Sequence, residues 1–312
     1  MKGTPDDAKA KATATYDAAA DSFDLASNSF WARFGRSTIE RIGLRAGARV
    51  LDVFCGTGAS AIPAAETVGA RGSVLGVDLA PNMCEAARAK ARSFGLRNVE
   101  FRVADALALG EPDGAFDAVV CVFGIFFVPD MHAAARELWR MVARGGALAV
   151  TTWGPDVFEP MNSVFWGAVR ELRPDLERAF HPWDRIQDPD SLTAMLVESG
   201  VDAPRVVAEP ARHPLASAHE WWSLVMGSGY RGTVDRLAPE HRLRVRRACD
   251  RGFERLGVRD VETNVVYAVA RKGGVTPPPR TRSAAAAGPA RPSPRARAAP
   301  SPPRARDRRS RA

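Results

Sequence analysis

The sequence has few cysteines and no long apolar run. Its four cysteines, Cys55, Cys84, Cys121 and Cys249, are widely spaced and form no C-x-x-C pair. This spacing argues against a zinc site and a disulfide framework, so we expect no metal and a reducing compartment. No stretch approaches the roughly 20 apolar residues of a membrane span, and the polar start lacks the apolar core of a signal peptide. The sequence therefore predicts a cytoplasmic protein without a membrane span.

Acidic residues are almost absent from the last part of the chain. The segment 273–312 holds ten arginines and one acid, Asp307, among proline, alanine, serine and glycine. The net positive charge of this segment slightly exceeds the +8 of the whole chain, so residues 1–272 are close to neutral. We expect 273–312 to be a disordered basic tail. Because a nucleic-acid footprint needs a basic face on the folded domain, we expect no nucleic-acid partner for that domain.

The chain does contain a regular alternation of strands and helices. A flexible start (1–15) and a helical stretch from Tyr16 to Leu44 precede it. Five apolar segments of strand length then alternate with helices; they lie at 48–55, 73–78, 98–105, 116–127 and 147–153. Parallel neighbours need crossover helices, and strands covered on both faces read as continuous apolar runs. The alternation predicts an α/β fold, a Rossmann-like doubly wound sheet with helices on both faces.

Beyond Gly154 the regular alternation of strands and helices ends. We interpret about 155–200 and about 212–257 as two helical insertions that form a substrate lid around a late strand at 205–208. A last strand is expected at 263–272, which places one domain over residues 16–272.

Acidic residues stand where three successive strands end. The first strand leads into G-T-G, in which Gly56 and Gly58 allow a tight turn and close approach of a ligand. Asp52, Asp78 and Asp105 come at the ends of the first, second and third strands. A carboxylate after the second strand suits ribose hydroxyls, the third is placed for an adenine amino group, and the first for a cationic head. These three parts describe S-adenosylmethionine.

Three alternatives compete with this interpretation. Gly56-x-Gly58-x-x-Ala61 also satisfies the dinucleotide pattern, which would make the protein an NAD(P)-dependent oxidoreductase. Asp52 counts against it, because its carboxylate would repel a pyrophosphate at the helix N-terminus. A nucleic-acid methyltransferase aided by the basic tail is the second alternative, although V-F-G-I-F-F follows the fourth strand where amino-targeting enzymes have an Asn- or Asp-Pro-Pro-aromatic segment. A non-catalytic cofactor-binding protein is the third.

Four ordered motifs resemble those of class I S-adenosylmethionine-dependent methyltransferases: V-L-D-V-F-C-G-T-G, G-V-D-L-A-P-N-M, V-A-D-A and F-D-A-V-V-C-V-F-G. The similarity is closest to the ubiquinone/menaquinone-type small-molecule branch, covering 16–154 well and 155–272 loosely. It implies a seven-stranded sheet, mostly parallel, with an antiparallel last strand. It also implies S-adenosylmethionine as the cofactor and methyl transfer to O, N or C of a small-molecule acceptor, whether a metabolite, a quinone-like compound or a natural product.

The resemblance further implies which residues hold the cofactor. The expected set is Asp52, Cys55, Gly56 and Gly58 at the methionine end with Thr57 in the same loop, Asp78, Leu79 and Asn82 at the ribose, Asp105 and Ala106 at the adenine, Phe123 and Gly124 at the sulfonium, and Tyr16 closing over the cofactor. The chain departs from the family at Phe54-Cys55, where small residues are common.

No catalytic residue is assigned by the sequence. Methyl transfer is an in-line displacement that depends on alignment, and it needs a base only if the acceptor must lose a proton. His132, His181 and His219 are candidates because histidine titrates near neutral pH. The sequence does not determine the acceptor, the methylated atom or the oligomeric state.

Overall fold

The computed structural model describes residues 5–177 and 181–273, with side chains from Lys9 onward. The expected tail lies outside these residues except for Gly273. The helices are α1 (Pro5–Phe23), α2 (Phe30–Ile42), α3 (Ala61–Val68), α4 (Pro81–Ser93), α5 (Met131–Met141), α6 (Met161–Leu172), α7 (Pro189–Glu198), α8 (Ala218–Met226), α9 (Arg231–Val234) and α10 (Pro239–Arg255). The strands are β1 (Arg49–Val53), β2 (Ser73–Asp78), β3 (Val99–Val103), β4 (Phe116–Val122), β5 (Val142–Trp153), β6 (Arg205–Glu209), β7 (Arg212–Pro214), β8 (Asp260–Glu262) and β9 (Val265–Arg271).

Seven of these strands form one sheet in the order β3-β2-β1-β4-β5-β9-β6. Neighbours from β3 to β5 are parallel, whereas β9 runs antiparallel to both β5 and β6. The predicted doubly wound sheet with an antiparallel last strand is therefore confirmed. The strand order reverses between β1 and β4, and open α/β sheets bind ligands in the crevice at the carboxyl ends of the strands beside such a point.

The central strands are buried on both faces. Val50 and Val120 belong to a hydrophobic cluster with α3 and α4, whereas their neighbours Leu51 and Val119 belong to a cluster with α5. Because successive side chains on a strand point to opposite faces, this alternation shows helices packed on both sides. It explains why the strands read as unbroken apolar runs in the sequence.

The start of the chain differs from the prediction. The helix expected from Tyr16 to Leu44 is two helices, and the first begins at Pro5, within the stretch that we expected to be flexible. Leu25 interrupts the helical pattern with an extended backbone (φ −60°, ψ 155°). Composition favoured a flexible start because alanine and lysine give little apolar periodicity, but contacts with the rest of the domain position this helix.

Two other differences concern strands. β5 begins at Val142 rather than at residue 147, so that it includes the expected turn 144–146. β7 and β8 form a small antiparallel sheet: β7 lies at the start of the predicted second helical insertion, and β8 lies between the end of that insertion and the expected last strand. Strands of three residues are too short to give a periodic signal. No helix in the part of the chain that the structure describes is long and apolar enough to cross a membrane.

Candidate active site

A pocket of about 950 Å³, including its open mouth, lies at the carboxyl ends of β1 to β4 under helix α1. Its walls combine aromatic and aliphatic side chains with two carboxylates and one lysine. The lining residues are Lys9, Ala12, Thr13, Tyr16, Phe23, Trp31, Phe54, Cys55, Gly56, Ala59, Ser60, Asp78, Leu79, Met83, Asp105, Val122, Phe123, Phe127 and Val128. The pocket therefore lies at the edge of the sheet where the sequence predicted the ligand site.

The turn after β1 is held by Asp78. Its two carboxylate oxygens each accept a backbone N–H at 2.9 Å, one from Gly56 and one from Ala80. Gly56 has a φ of 51°, a left-handed conformation that glycine adopts without strain. Burial raises the pKa of Asp78, and the backbone N–H groups oppose that rise. Asp78 thus faces the pocket as a carboxylate fixed by the backbone.

Asp52 lies behind the pocket wall and is only 1% exposed. One oxygen accepts a 2.8 Å hydrogen bond from Ser60, which lines the pocket, and the other has no partner among the residues that the structure describes. Burial raises the pKa of Asp52 to about 7, despite the hydrogen bond from Ser60. The carboxyl group therefore lacks a positive partner on its free oxygen.

Asp105, in the loop after β3, is already paired. Its carboxylate accepts from Lys9 Nζ at 2.5 Å and from the Leu107 backbone N–H at 3.0 Å. Burial acts to raise the pKa of Asp105, but these donors outweigh it and the pKa is lowered. Sequence reasoning missed Lys9, because it treated residues 1–15 as flexible.

Helix α1 is also tied to the loops after β1 and β2. Asp17 accepts the backbone N–H of Asn82 at 2.7 Å and its amide at 3.0 Å, and so caps α4 from another helix. Asp24 accepts from the Thr57 hydroxyl at 2.9 Å and pairs with Lys90 at 2.6 Å. Asn82 is therefore directed at α1 and Thr57 at Asp24, which directly follows α1, and neither of them lines the pocket.

The structure brings together about half of the expected cofactor residues. Those that line the pocket are Tyr16, Cys55, Gly56, Asp78, Leu79, Asp105 and Phe123; those that do not are Asp52, Thr57, Gly58, Asn82, Ala106 and Gly124. Gly124 instead makes room for Phe54, since a Cβ at Gly124 would lie 2.4 Å from the Phe54 ring. Phe54 is itself left-handed, with a φ of 55°, a strain that proteins concentrate at functional sites.

The aromatic part of the wall joins the predicted Tyr16 and Phe123 to three side chains that sequence reasoning missed, Phe23, Trp31 and Phe127. Phe23 stacks on Trp31 with ring centres 4.9 Å apart, and Trp31 meets Phe123 edge-on at 5.4 Å. Tyr16 meets Phe127 edge-on at 5.2 Å. The helical spacing of Phe23 and Trp31 resembled that of ordinary core residues, and Phe127 ends the apolar run 116–127 that was predicted as a strand, so no separate signal marked these three.

The three candidate histidines lie away from the pocket lining. His132 Nδ1 is 3.2 Å from the Ser199 hydroxyl. His181 stacks on Trp183 with ring centres 4.5 Å apart. None of the three is among the residues that line the pocket.

Comparisons with known proteins agree on one family. Residues 7–179, more than half of the chain, match the sequence model of the ubiE/COQ5 methyltransferase family. The chain is 33% identical over 193 residues to the aklanonic acid methyltransferase DauC of Streptomyces sp. strain C5, covering 58% of this chain and 88% of that protein. It is 36% identical over 153 residues to the ubiquinone/menaquinone biosynthesis C-methyltransferase UbiE of Cronobacter sakazakii, covering 49% of this chain and 60% of that protein.

The fold is similar to solved structures as well. The YcgJ protein of Bacillus subtilis superposes with a TM-score of 0.50 at 20% identity, over 77% of this chain and all of that one. The expected methyltransferase activity and cofactor are confirmed, and the oxidoreductase and nucleic-acid methyltransferase alternatives find no support in these matches. The chain belongs to the ubiE/COQ5 methyltransferase family and is an S-adenosylmethionine-dependent methyltransferase of a small molecule.

Proposed function

We propose that this methyltransferase acts on a planar aromatic acceptor of quinone-like type, bound between α1, α2 and the end of β4. The observation that carries the proposal is the aromatic wall of Phe23, Trp31, Phe123 and Phe127 at one side of the pocket. Aromatic side chains favour flat apolar ligands by stacking and edge contacts. Relatives named for aklanonic acid and for quinone biosynthesis support the same class.

Three carboxyl groups in or behind the pocket wall fit the cofactor. We infer that the free oxygen of Asp52 takes the ammonium of the methionine moiety, that Asp78 takes the ribose hydroxyls, and that Asp105 takes the adenine amino group. The orphaned oxygen of Asp52 supports this assignment, because a buried carboxyl without a partner is costly unless a ligand satisfies it. When bound, the cofactor supplies a sulfonium methyl group for in-line displacement.

The chain's contribution to the reaction is alignment and exclusion of water. No histidine of the described ranges lines the pocket, so we expect the acceptor to bind in a form that needs no imidazole base. Tyr16 and Phe23 on α1 cover the pocket, and an apolar cover strengthens electrostatic interactions by removing water. The methylated atom, whether O, N or C, is set by which acceptor atom faces the methyl group.

The experiment is calorimetric titration with S-adenosylmethionine, S-adenosylhomocysteine and NADH, followed by mass spectrometry of an incubation with reduced 1,4-naphthoquinone. We expect binding of the first two ligands only, and a product heavier by one methylene group. Asp78→Asn should weaken binding, whereas Asp190→Asn, on the exposed start of α7, should not. Normal cofactor binding without methylation of any aromatic acceptor would contradict the proposed acceptor class.

Two further expectations accompany this proposal. The four cysteines are free and buried, which is typical of a reducing compartment, and we propose the cytoplasm as the site of action. The absence of a nucleic-acid partner for the folded domain stays a prediction.

A further inference from the structure

Trp31 has a buried polar group that the fold does not use. Its ring lines the pocket and the residue is 7% exposed. Within residues 5–177 and 181–273, nothing accepts a hydrogen bond from its indole N–H. A buried donor without an acceptor lowers stability, and such groups in native proteins call for an explanation.

The aromatic rings around Trp31 offer no acceptor. The ring contacts Phe23 at 4.9 Å, Phe30 at 4.6 Å, Trp153 at 5.5 Å and Phe123 at 5.4 Å between ring centres. All four are aromatic, and none carries a side-chain oxygen. These rings give the N–H no partner, whereas a group that enters the pocket can bring an acceptor.

Its position distinguishes Trp31 from another buried indole. The Trp166 N–H also lacks an acceptor in the described part of the chain, but Trp166 does not line the pocket. Trp31 lies between two residues that do line it, Phe23 and Phe123, and Phe123 directly follows β4. The side chain that carries the unused donor is thus part of the wall that the proposed acceptor would contact.

We propose that Trp31 is a specificity residue, and that its indole N–H donates a hydrogen bond to an oxygen on the aromatic methyl acceptor. This inference rests on the proposed function, because it concerns the acceptor end of the same pocket. A site built to hydrogen-bond one ligand group discriminates against analogues that lack it, since the protein donor is then left unpaired. Trp31 would therefore select oxygenated aromatics over plain hydrocarbons of the same shape.

The test compares two planar probes, 9-fluorenone and fluorene, which differ by a carbonyl oxygen in place of a methylene group. Their binding to protein saturated with S-adenosylhomocysteine is measured by equilibrium dialysis for the wild type, Trp31→Phe and Trp153→Phe. Trp31→Phe removes the N–H and keeps an aromatic ring. Trp153 contacts Trp31 in the same cluster but does not line the pocket, so Trp153→Phe is the matched control.

We expect the wild type to prefer fluorenone by about tenfold, the factor that one hydrogen bond of ordinary strength provides. Trp31→Phe should lose that preference, and Trp153→Phe should keep it. The inference would be overturned if Trp31→Phe kept the preference, or if the wild type bound both probes equally or bound neither. In those cases normal binding of S-adenosylhomocysteine would show that the cofactor site is still correctly assigned. Loss of S-adenosylhomocysteine binding by the wild type would overturn the proposed function and this inference together.

Discussion

The buried carboxyl group of Asp52 should make cofactor binding depend on pH. Burial raises its pKa to about 7, so that the free protein holds this group largely protonated in mildly acidic solution. The proposed partner is the cofactor's ammonium, which stabilises the ionised form. Below pH 7 the carboxyl must therefore release its proton when the cofactor binds, and the affinity should fall as the pH is lowered.

The size of the effect follows from the pKa. Well below it, each pH unit costs about a factor of ten in affinity, and between about pH 8 and about pH 6 the apparent Kd should rise by roughly tenfold. The α-amino group of a peptide has a pKa of about 7.7–8.0, and the cofactor's own amino group is likewise protonated over the lower part of this range. The slope below neutral pH therefore reports on the protein.

The assay is calorimetric titration with S-adenosylhomocysteine between about pH 5.5 and about pH 7.5, where the ligand's ammonium is retained. Two buffers of different ionisation enthalpy would count the protons released on binding. Asp52→Asn should bind more weakly at the upper pH and lose most of the slope, whereas Asp190→Asn should behave as the wild type. A flat profile for the wild type, or the same slope in Asp52→Asn, would refute the reasoning.

The same group should weaken the fold as the pH rises. Between the unfolded pKa of 3.8 and the folded value of about 7, the unfolded chain releases the proton of Asp52 while the folded protein keeps it. The free energy of unfolding should then fall through this window by a total on the order of 4 kcal/mol from this group, and stay level above it. Asp52→Asn should consequently melt higher than the wild type near pH 8 while binding the cofactor less well.

Three other substitutions test the packing around the pocket. Gly124→Ala places a Cβ 2.4 Å from the Phe54 ring and should lower the free energy of unfolding by about 1–3 kcal/mol. Adding Phe54→Ala to that variant should recover part of the loss. If the melting-temperature shifts of the two substitutions were strictly additive, the two residues would not clash. Asp17→Ala removes the cap of α4 and should lower the free energy of unfolding in urea by about 1 kcal/mol, whereas Asp21→Ala on the same helix should not. If both variants had the same urea midpoint, the cap would not contribute to stability. His132→Ala should leave kcat unchanged because its ring lies off the pocket, and a large fall in kcat would restore it as a candidate base.

The sheet and the position of the three acids at its strand ends could be predicted because each leaves a local pattern. The alternation of Val50, Leu51, Val119 and Val120 between two faces produces the apolar runs that identify buried strands. Parallel strands bring their carboxyl ends to one edge, so an acid at each strand end implies a shared site. No tertiary information was needed for that step.

The contacts of helix α1 could not be predicted in the same way. Lys9 and Asp105 are 96 residues apart, and Asp17 and Asn82 are 65 residues apart. Neither pair produces a periodic or spaced motif, and the alanine-rich helix has few large apolar residues to mark a buried face. The sequence therefore indicated which strand ends meet but not which helix covers them.

The three acids differ in how the fold prepares them, and the differences match the parts of the cofactor proposed for each. Asp105 is neutralised in advance by Lys9, which suits contact with the uncharged adenine. Asp78 is held by two backbone N–H groups and keeps lone pairs for the ribose hydroxyls, which are donors. Asp52 is the only one of the three with an oxygen that has no partner among the described residues, and it lies out of water, where a charge is costly. The carboxyl with this open acceptor is thus the one proposed to meet the only cationic nitrogen of the cofactor, so that part of the cost of burying Asp52 in the free protein is offset at the methionine end when the cofactor binds.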